Sequence, residues 1–348
     1  MKKINKFLAL LLIAVLAFSL VSCGGKKEEE SGGEKEPEEK KFKLALVIGV
    51  GGLGDGSFND TLKKGCDDAC AKYGIDGYQL IEPKEVAEFE GHFTDLSASG
   101  EYDLIVAGGF DAIDAMGKVA AEFPDQKYLF VDGEVPDRDN VTSVTYWDNE
   151  KTYLLGIIAA MTTETNKLGI VLALDIPSLR YFSSGFMAGA WSVNPDIDIS
   201  VKVVGGFADT TTCKELALAL RDEGCDIVFP AAGGSGLGCI AAAEESGDFK
   251  IVGIDTNQCL LSPDTVFVSG MRLMDVTVCN GIGEAINGTL KGGHQAQGLK
   301  EGAVTFTTEG THIAPSAEAI AAANKAKEDI IAGKITVPYT YEEVGFEA

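Results

Sequence analysis

Histidine is almost missing from this chain: His92, His294 and His312 are the only three in 348 residues, and they lie far apart. A metal centre needs clustered ligands, and a Ser-His-Asp or Cys-His nucleophile needs a base beside it, so neither is suggested. There is no Gly-x-Ser-x-Gly elbow, and no Lys-Ser/Thr pair follows the glycine-rich turns, so a hydrolase nucleophile and a P-loop are not expected. Positive charge is also scarce, 29 Lys and Arg against 53 Asp and Glu. The net charge is −24; residues 1–22 supply +3 and residues 24–41 supply −2, which leaves −25 on the rest. So acidic a surface repels phosphate backbones, and nucleic acid is not an expected partner. After Val21 no apolar run approaches the eighteen residues of a spanning helix. No repeat of 20 to 50 residues is visible, which excludes a solenoid.

What is present begins with the N-terminus. Lys2, Lys3 and Lys6 precede an apolar run over residues 7–21, the pattern of an export signal. Leu20-Val21-Ser22-Cys23 follows and resembles the lipobox of bacterial lipoproteins. Residues 1–22 are therefore expected to be removed, leaving Cys23 acylated and the protein anchored to the outer face of the membrane. Residues 23–41 read as a flexible tether, rich in Lys, Glu and Gly and without an apolar anchor. Seven further cysteines, Cys66, Cys70, Cys213, Cys225, Cys239, Cys259 and Cys279, are odd in number and imply no disulfide framework. They read as small buried side chains. Neither a metal nor a cofactor is assigned.

The body is long enough for two lobes. Apolar runs at 42–50, 104–107 and 128–131 alternate with helical patterns at 59–73 and 112–122. After Asn149 the alternation restarts, with helices expected at 151–163, 183–192, 211–223 and 238–245, and strands at 167–174, 198–204, 226–230 and 250–254. Short runs apolar at every position suit parallel strands covered on both faces, so the fold class is α/β with two doubly wound lobes. Two such lobes place a cleft between them at the carboxyl ends of the strands. The turns 49–54 and 233–238 each follow a strand and precede a helix, but only partly match a dinucleotide fingerprint. They bring backbone amides towards any polar ligand at a helix start.

The turn Gly51-Gly52-Leu53-Gly54-Asp55-Gly56-Ser57-Phe58-Asn59 resembles the Gly-Gly-x-x-Asp-x-Ser-Phe-Asn signature of the basic membrane protein family, lipoprotein receptors of nucleoside ABC importers. Other blocks resemble the family in order: Asp132, Asn140-Val141, Glu150 with Tyr153-Leu154-Leu155-Gly156, Gly185-Phe186-Met187-Ala188-Gly189, Gly206-Phe207-Ala208-Asp209, the 232–238 turn, and Val252-Gly253-Ile254-Asp255-Thr256-Asn257-Gln258. The resemblance covers nearly the whole body. It implies a type I periplasmic-binding fold, with lobe 1 at 42–147 plus about 271–305 and lobe 2 at 148–270 plus about 306–348. Three crossovers join the lobes, hinging near Trp147 and Gly270, and close them on a nucleoside, a purine first.

The same resemblance puts particular residues at the ligand. Phe58 and Phe207 sit on loops of opposite lobes, where closure brings two rings to a planar base; the residues alone leave core packing equally open. Asn59 offers a donor and an acceptor to a base edge, and Asp111, beside Phe110, is placed to read that edge or to cap a helix. Asp255 is placed to accept ribose hydroxyls, with Arg272 standing where the family usually has lysine. Asp55, Ser57, Phe186 and Gly234 complete the implied set. Gly49 replaces a common acidic residue; with Arg272 it leaves open a pyrimidine nucleoside, a free base, riboflavin or a sugar. The implied partners are an ABC permease with its ATPase and the membrane itself. A nucleoside-acting enzyme and a tethered sensor are the alternatives of different class.

Overall fold

The computed structural model describes residues 41–347; the expected signal peptide, Cys23 and most of the tether lie outside the described residues. The first half lays down β1 (Leu44–Val47), α1 (Phe58–Tyr73), β2 (Tyr78–Ile81), α2 (Phe89–Ser99), β3 (Leu104–Gly108), α3 (Ile113–Glu122), β4 (Tyr128–Val131) and β5 (Val141–Tyr146). The second half repeats that order with α4 (Asp148–Ala160), β6 (Lys167–Leu172), α5 (Pro177–Val193), β7 (Asp198–Val203), α6 (Thr210–Asp222), β8 (Ile227–Ala231), α7 (Leu237–Ser246), β9 (Lys250–Asp255) and β10 (Val266–Arg272). Then come α8 (Met274–Ile286), β11 (Gly293–Gln297), β12 (Val304–Thr307), α9 (Ala317–Ile331) and α10 (Tyr341–Val344).

Two six-stranded sheets result, ordered β11-β5-β4-β3-β1-β2 and β12-β10-β9-β8-β6-β7. Strand for strand the orders correspond, and every pairing is parallel except β10 with β12. The central strands β1, β3, β4 and β8 are buried at every position, as helix-covered parallel strands must be. The chain passes between the sheets three times: after β5, after β10, and between β11 and β12. Trp147 and Leu273 stand at the first two passages in nearly the same conformation, φ −78, ψ 68 and φ −84, ψ 51. Gly270, expected near a hinge, instead lies inside β10, paired with Ile254 and Phe306.

Helices α4 and α5 cross in backbone contact, and glycines make this possible. A Cβ on Gly156 would lie 2.0 Å from the Phe186 carbonyl oxygen, and one on Gly189 would lie 2.0 Å from that of Tyr153. Boundaries differ from the pattern for local reasons. The first strand stops at Val47 because Gly51, Gly52, Gly54 and Gly56 take positive φ in the turn that follows. Helix α5 starts six residues early because Pro177 is favourable in a first turn.

Candidate functional site

Between the carboxyl ends of the two sheets lies a cavity of about 350 Å³, lined from both lobes. That size falls within the usual range for small-molecule sites. Several residues of the 51–59 turn serve the turn itself. Asp55 accepts hydrogen bonds from the amides of Ser57, Asn59 and Asp60, at 2.9, 2.8 and 3.2 Å, and so caps the start of α1. Burial raises its pKa despite those amides. Asn59 lines the cavity; it accepts from the Gly49 amide at 2.9 Å and donates to the Gly52 carbonyl at 3.0 Å, so both ends of its side chain fix the loop, with one N–H and one lone pair left over. Ser57 is fully buried and does not line the cavity; its Oγ donates to Asp255 Oδ2 of the other lobe at 2.6 Å.

Arg272, at the end of β10, is the electrostatic hub. Its Nε donates to Asp255 Oδ1 at 2.7 Å, and its Nη1 to Asp132 Oδ1 at 2.8 Å and, more weakly, to Asp148 Oδ2 at 3.4 Å. Lys151, wholly buried, places Nζ 2.7 Å from Asp148 Oδ1 and 3.5 Å from Asp255 Oδ1. Three carboxylates thus face two cations, all buried except Asp132. The guanidinium also lies 5.4, 5.7 and 5.8 Å from the ring centres of Phe182, Phe58 and Tyr146, an aromatic box that holds a cation.

Asp132 and Asp255 occupy corresponding places, just after β4 and at the end of β9, and both adopt left-handed backbone, φ 65 and φ 63. Such a conformation costs a non-glycine residue free energy and is retained where the side chain must be aimed. Their environments differ. Burial pushes Asp255 up, but Arg272, Lys151 and the Ser57 hydroxyl outweigh it and hold its pKa down to about 2. For Asp132, burial together with Asp148 and Asp255 outweighs Arg272, and its pKa is raised. The Asp132 side chain keeps 31% of its surface and the Asp255 side chain 6%, so Asp132 is the more accessible carboxylate in the cavity. Burial also raises Asp111, against hydrogen bonds from backbone amides.

Of the expected rings, Phe58, Phe110 and Phe207 line the cavity. Phe207 meets Phe110 of the other lobe, centroids 5.8 Å apart and tilted by 47°, while Phe58 lies against Arg272. Gly234 lines the wall, where a Cβ would lie 3.1 Å from the Phe207 carbonyl oxygen and 3.4 Å from Asp55. Phe186 is a correction: it is fully buried, stacks on Phe229 at 4.9 Å and does not line the cavity, because its glycine-rich helix serves the α4–α5 crossing. The sequence reading missed Asp148, Lys151, Tyr146 and Phe182 and gave Asp132 no role. A signal existed for Lys151, which shares the helical stripe of Leu154, Leu155 and Ile158 and so had to be buried. The lobes also meet where Thr256 Oγ1 and Gln258 Nε2 donate to the Gly56 carbonyl at 2.8 and 3.3 Å. Among the described residues there is no cluster of groups that could hold a metal ion, and no helix is long and apolar enough to cross a membrane.

Residues 42–341 match the family described as ABC transporter substrate-binding protein PnrA-like. The chain is 30% identical to the ABC transporter nucleoside-binding protein BmpA of Lactococcus lactis, over 94% of this chain and 98% of that protein. It is 32% identical to an uncharacterized lipoprotein of Pyrococcus abyssi, over 86% and 76% of the two chains. Among solved structures, a solute-binding protein of an ABC transporter system from Aeropyrum pernix superposes with a TM-score of 0.81 at 27% identity, covering 87% of this chain and 95% of that one. The fold is thus that of the periplasmic solute-binding proteins, two α/β lobes around a cleft.

Proposed function

The chain belongs to the PnrA-like family of ABC transporter substrate-binding proteins, which bind a ligand rather than transform it, and from that premise we propose that its cleft takes an uncharged nucleoside, a purine first. The observation that carries this reading is the charge of the cavity. Among the described residues the one cation in its lining, Arg272, is already matched by Asp132, Asp148 and Asp255, while Asp111 and Glu134 add further negative charge. A phosphate or carboxylate entering there would meet repulsion and no free cation. A neutral ring bearing hydroxyls meets the opposite: Phe58, Phe110 and Phe207 for its faces, and carboxylates for its O–H and N–H donors. The nucleoside-binding name of the Lactococcus relative supports the same class.

In this reading Asp132, with Asp255 behind it, receives ligand hydroxyls, and Asp111 faces an N–H edge. The protein then delivers the ligand unchanged to an ABC permease powered by its ATPase. Acylation of Cys23 holds it at the outer face of the membrane, a reading supported by the lipoprotein name of the Pyrococcus relative. The test is a thermal-shift screen followed by calorimetry with nucleosides, their 5′-phosphates, free bases, riboflavin and sugars. A ligand at a hundred times its dissociation constant adds about 2.7 kcal/mol of stability. A purine nucleoside is expected to stabilise most and its 5′-phosphate not at all. Preference for riboflavin, a base or a sugar over every nucleoside would overturn the ligand class, and release of free base from a nucleoside would overturn the receptor role.

A further inference from the structure

We propose that Cys213 and Cys239 form an intramolecular disulfide when the chain folds outside the cytoplasm. Their Sγ atoms lie 3.3 Å apart, both fully buried, one on α6 and the other on α7. The backbones beside them also approach closely. A Cβ on Gly238, the residue before Cys239, would lie 2.1 Å from the Thr210 carbonyl oxygen and 2.9 Å from the Lys214 amide nitrogen, the residue after Cys213. The two helices therefore cross in direct contact at this pair, and only about 1.3 Å separates the sulfurs from disulfide bonding distance, within reach of a small side-chain rotation. Among the described residues no other pair of cysteine sulfurs is hydrogen-bonded; Cys259 Sγ, for instance, faces Ser269 Oγ at 3.4 Å.

The oxidant is a disulfide, small or carried by a thiol–disulfide oxidoreductase. One cysteine thiolate attacks it, its S–S bond breaks, and one thiol leaves while a mixed disulfide forms. The second cysteine displaces the other thiol. Two electrons pass from the pair to the oxidant, and the two cysteine protons end on the two released thiols. Both sulfurs are fully buried, and the neighbouring Cys213 sulfur and burial push the Cys239 thiol well above its ordinary pKa, so an oxidant has no access to the folded, reduced pair. Oxidation therefore belongs to folding, before α6 and α7 close over the pair, and the finished bridge is sealed from reductant. Its placement has a consequence for the cavity. Helix α6 begins three residues after Phe207, and α7 begins directly after the Gly233–Gly236 turn, so the bridge joins the two loops that carry Phe207 and Gly234.

The proposal takes its oxidising compartment from the export reading but is independent of the ligand, and a refolding experiment supplies the oxidant directly. The mature chain is unfolded with reductant, refolded in a reduced and oxidised glutathione buffer, blocked with N-ethylmaleimide in denaturant, and digested without reduction. Mass spectrometry is expected to find Cys213 and Cys239 in one cross-linked pair of peptides that separates on reduction. The oxidised protein should melt a few degrees above the reduced one, and that difference should vanish in both Cys213→Ala and Cys239→Ala. Should either variant fail to fold, the peptide map of the unaltered chain still decides. N-ethylmaleimide on both residues of the refolded, cooperatively melting protein, or pairing of either with Cys66, Cys70, Cys225, Cys259 or Cys279, would overturn the proposal.

Discussion

At the scale of single residues, two aspartates in matching positions carry opposite electrostatic burdens. Asp255 gains from its ion pairs, whereas at Asp132 burial and the neighbouring carboxylates impose a cost on the charged form that Arg272 only partly offsets. Asp132→Asn keeps an acceptor for Arg272 and removes that cost, so melting temperature should hold or rise. Ligand affinity should meanwhile fall on the order of tenfold, the worth of a charge-assisted hydrogen bond; calorimetry beside a melting curve separates the two effects. Asp255 sets a pH dependence. Its folded pKa lies below its unfolded value, so its contribution, about 2 kcal/mol, is present above the unfolded pKa and lost as pH falls from about 4 through about 2. Denaturant titrations across that window should show the loss, and Asp255→Asn should flatten it. Phe207→Ala should weaken every accepted nucleoside alike, on the order of tenfold or more for a stacking contact of about 1–3 kcal/mol. A drop confined to one base would instead mark Phe207 as a reader of the base edge.

At the scale of elements, the α4–α5 crossing shows how a family-like block can be structural. Gly156, Gly185 and Gly189 let two helices touch along their backbones, and Phe186 fills the core beneath them. Gly156→Ala must force the Phe186 carbonyl away from a 2.0 Å contact, and overpacking of that kind costs about 1–3 kcal/mol or more. The expected result is a lower melting temperature with unchanged affinity per folded molecule, since neither Gly156 nor Phe186 lines the cavity. An affinity loss larger than the stability loss would show that α5 transmits strain to Phe182 and Arg272.

At the scale of the whole molecule, the two sides of the cleft are bridged by contacts that need no ligand: Ser57 to Asp255, Arg272 to Asp132, and Thr256 with Gln258 to the Gly56 carbonyl. A ligand enclosed by both lobes must enter an open form, so these contacts set the population of the closed one. Trp147 and Leu273, outside the strands, stand at two of the three passages between the sheets and are the proposed hinges. Ser57→Ala removes an interlobe hydrogen bond without touching the cavity wall. Solution scattering of the ligand-free variant should give a larger radius of gyration than the parent, with both contracting to the same value on saturation. Equal radii without ligand would show that Ser57 does not govern closure.

The sequence by itself determined the alternation of elements, because buried parallel strands must be apolar at nearly every position and their covering helices must carry a stripe; β4 and α1 could be placed to within a residue. It also determined the family and the glycine-rich turns, since those depend on local backbone demands. It did not reveal β2 or β11, partly and mostly exposed edge strands whose residues show no apolar run, nor α9, whose alanine-rich face is a weak periodic signal, and it left α2, β10, α8, β12 and α10 unplaced. The partners of the side chains inside the site came only from the tertiary structure. Asp55 and Asn59 line the cavity, but most of their hydrogen bonds go to the turn itself. Phe186 read as a cleft ring until α5 turned it inward. Lys151, Asp148 and Asp132 acquired meaning only when residues far apart in the chain converged on Arg272. The physical reason is that hydrogen-bond partners and charge neighbours are chosen in three dimensions, and a side chain's function is whatever capacity those partners leave free.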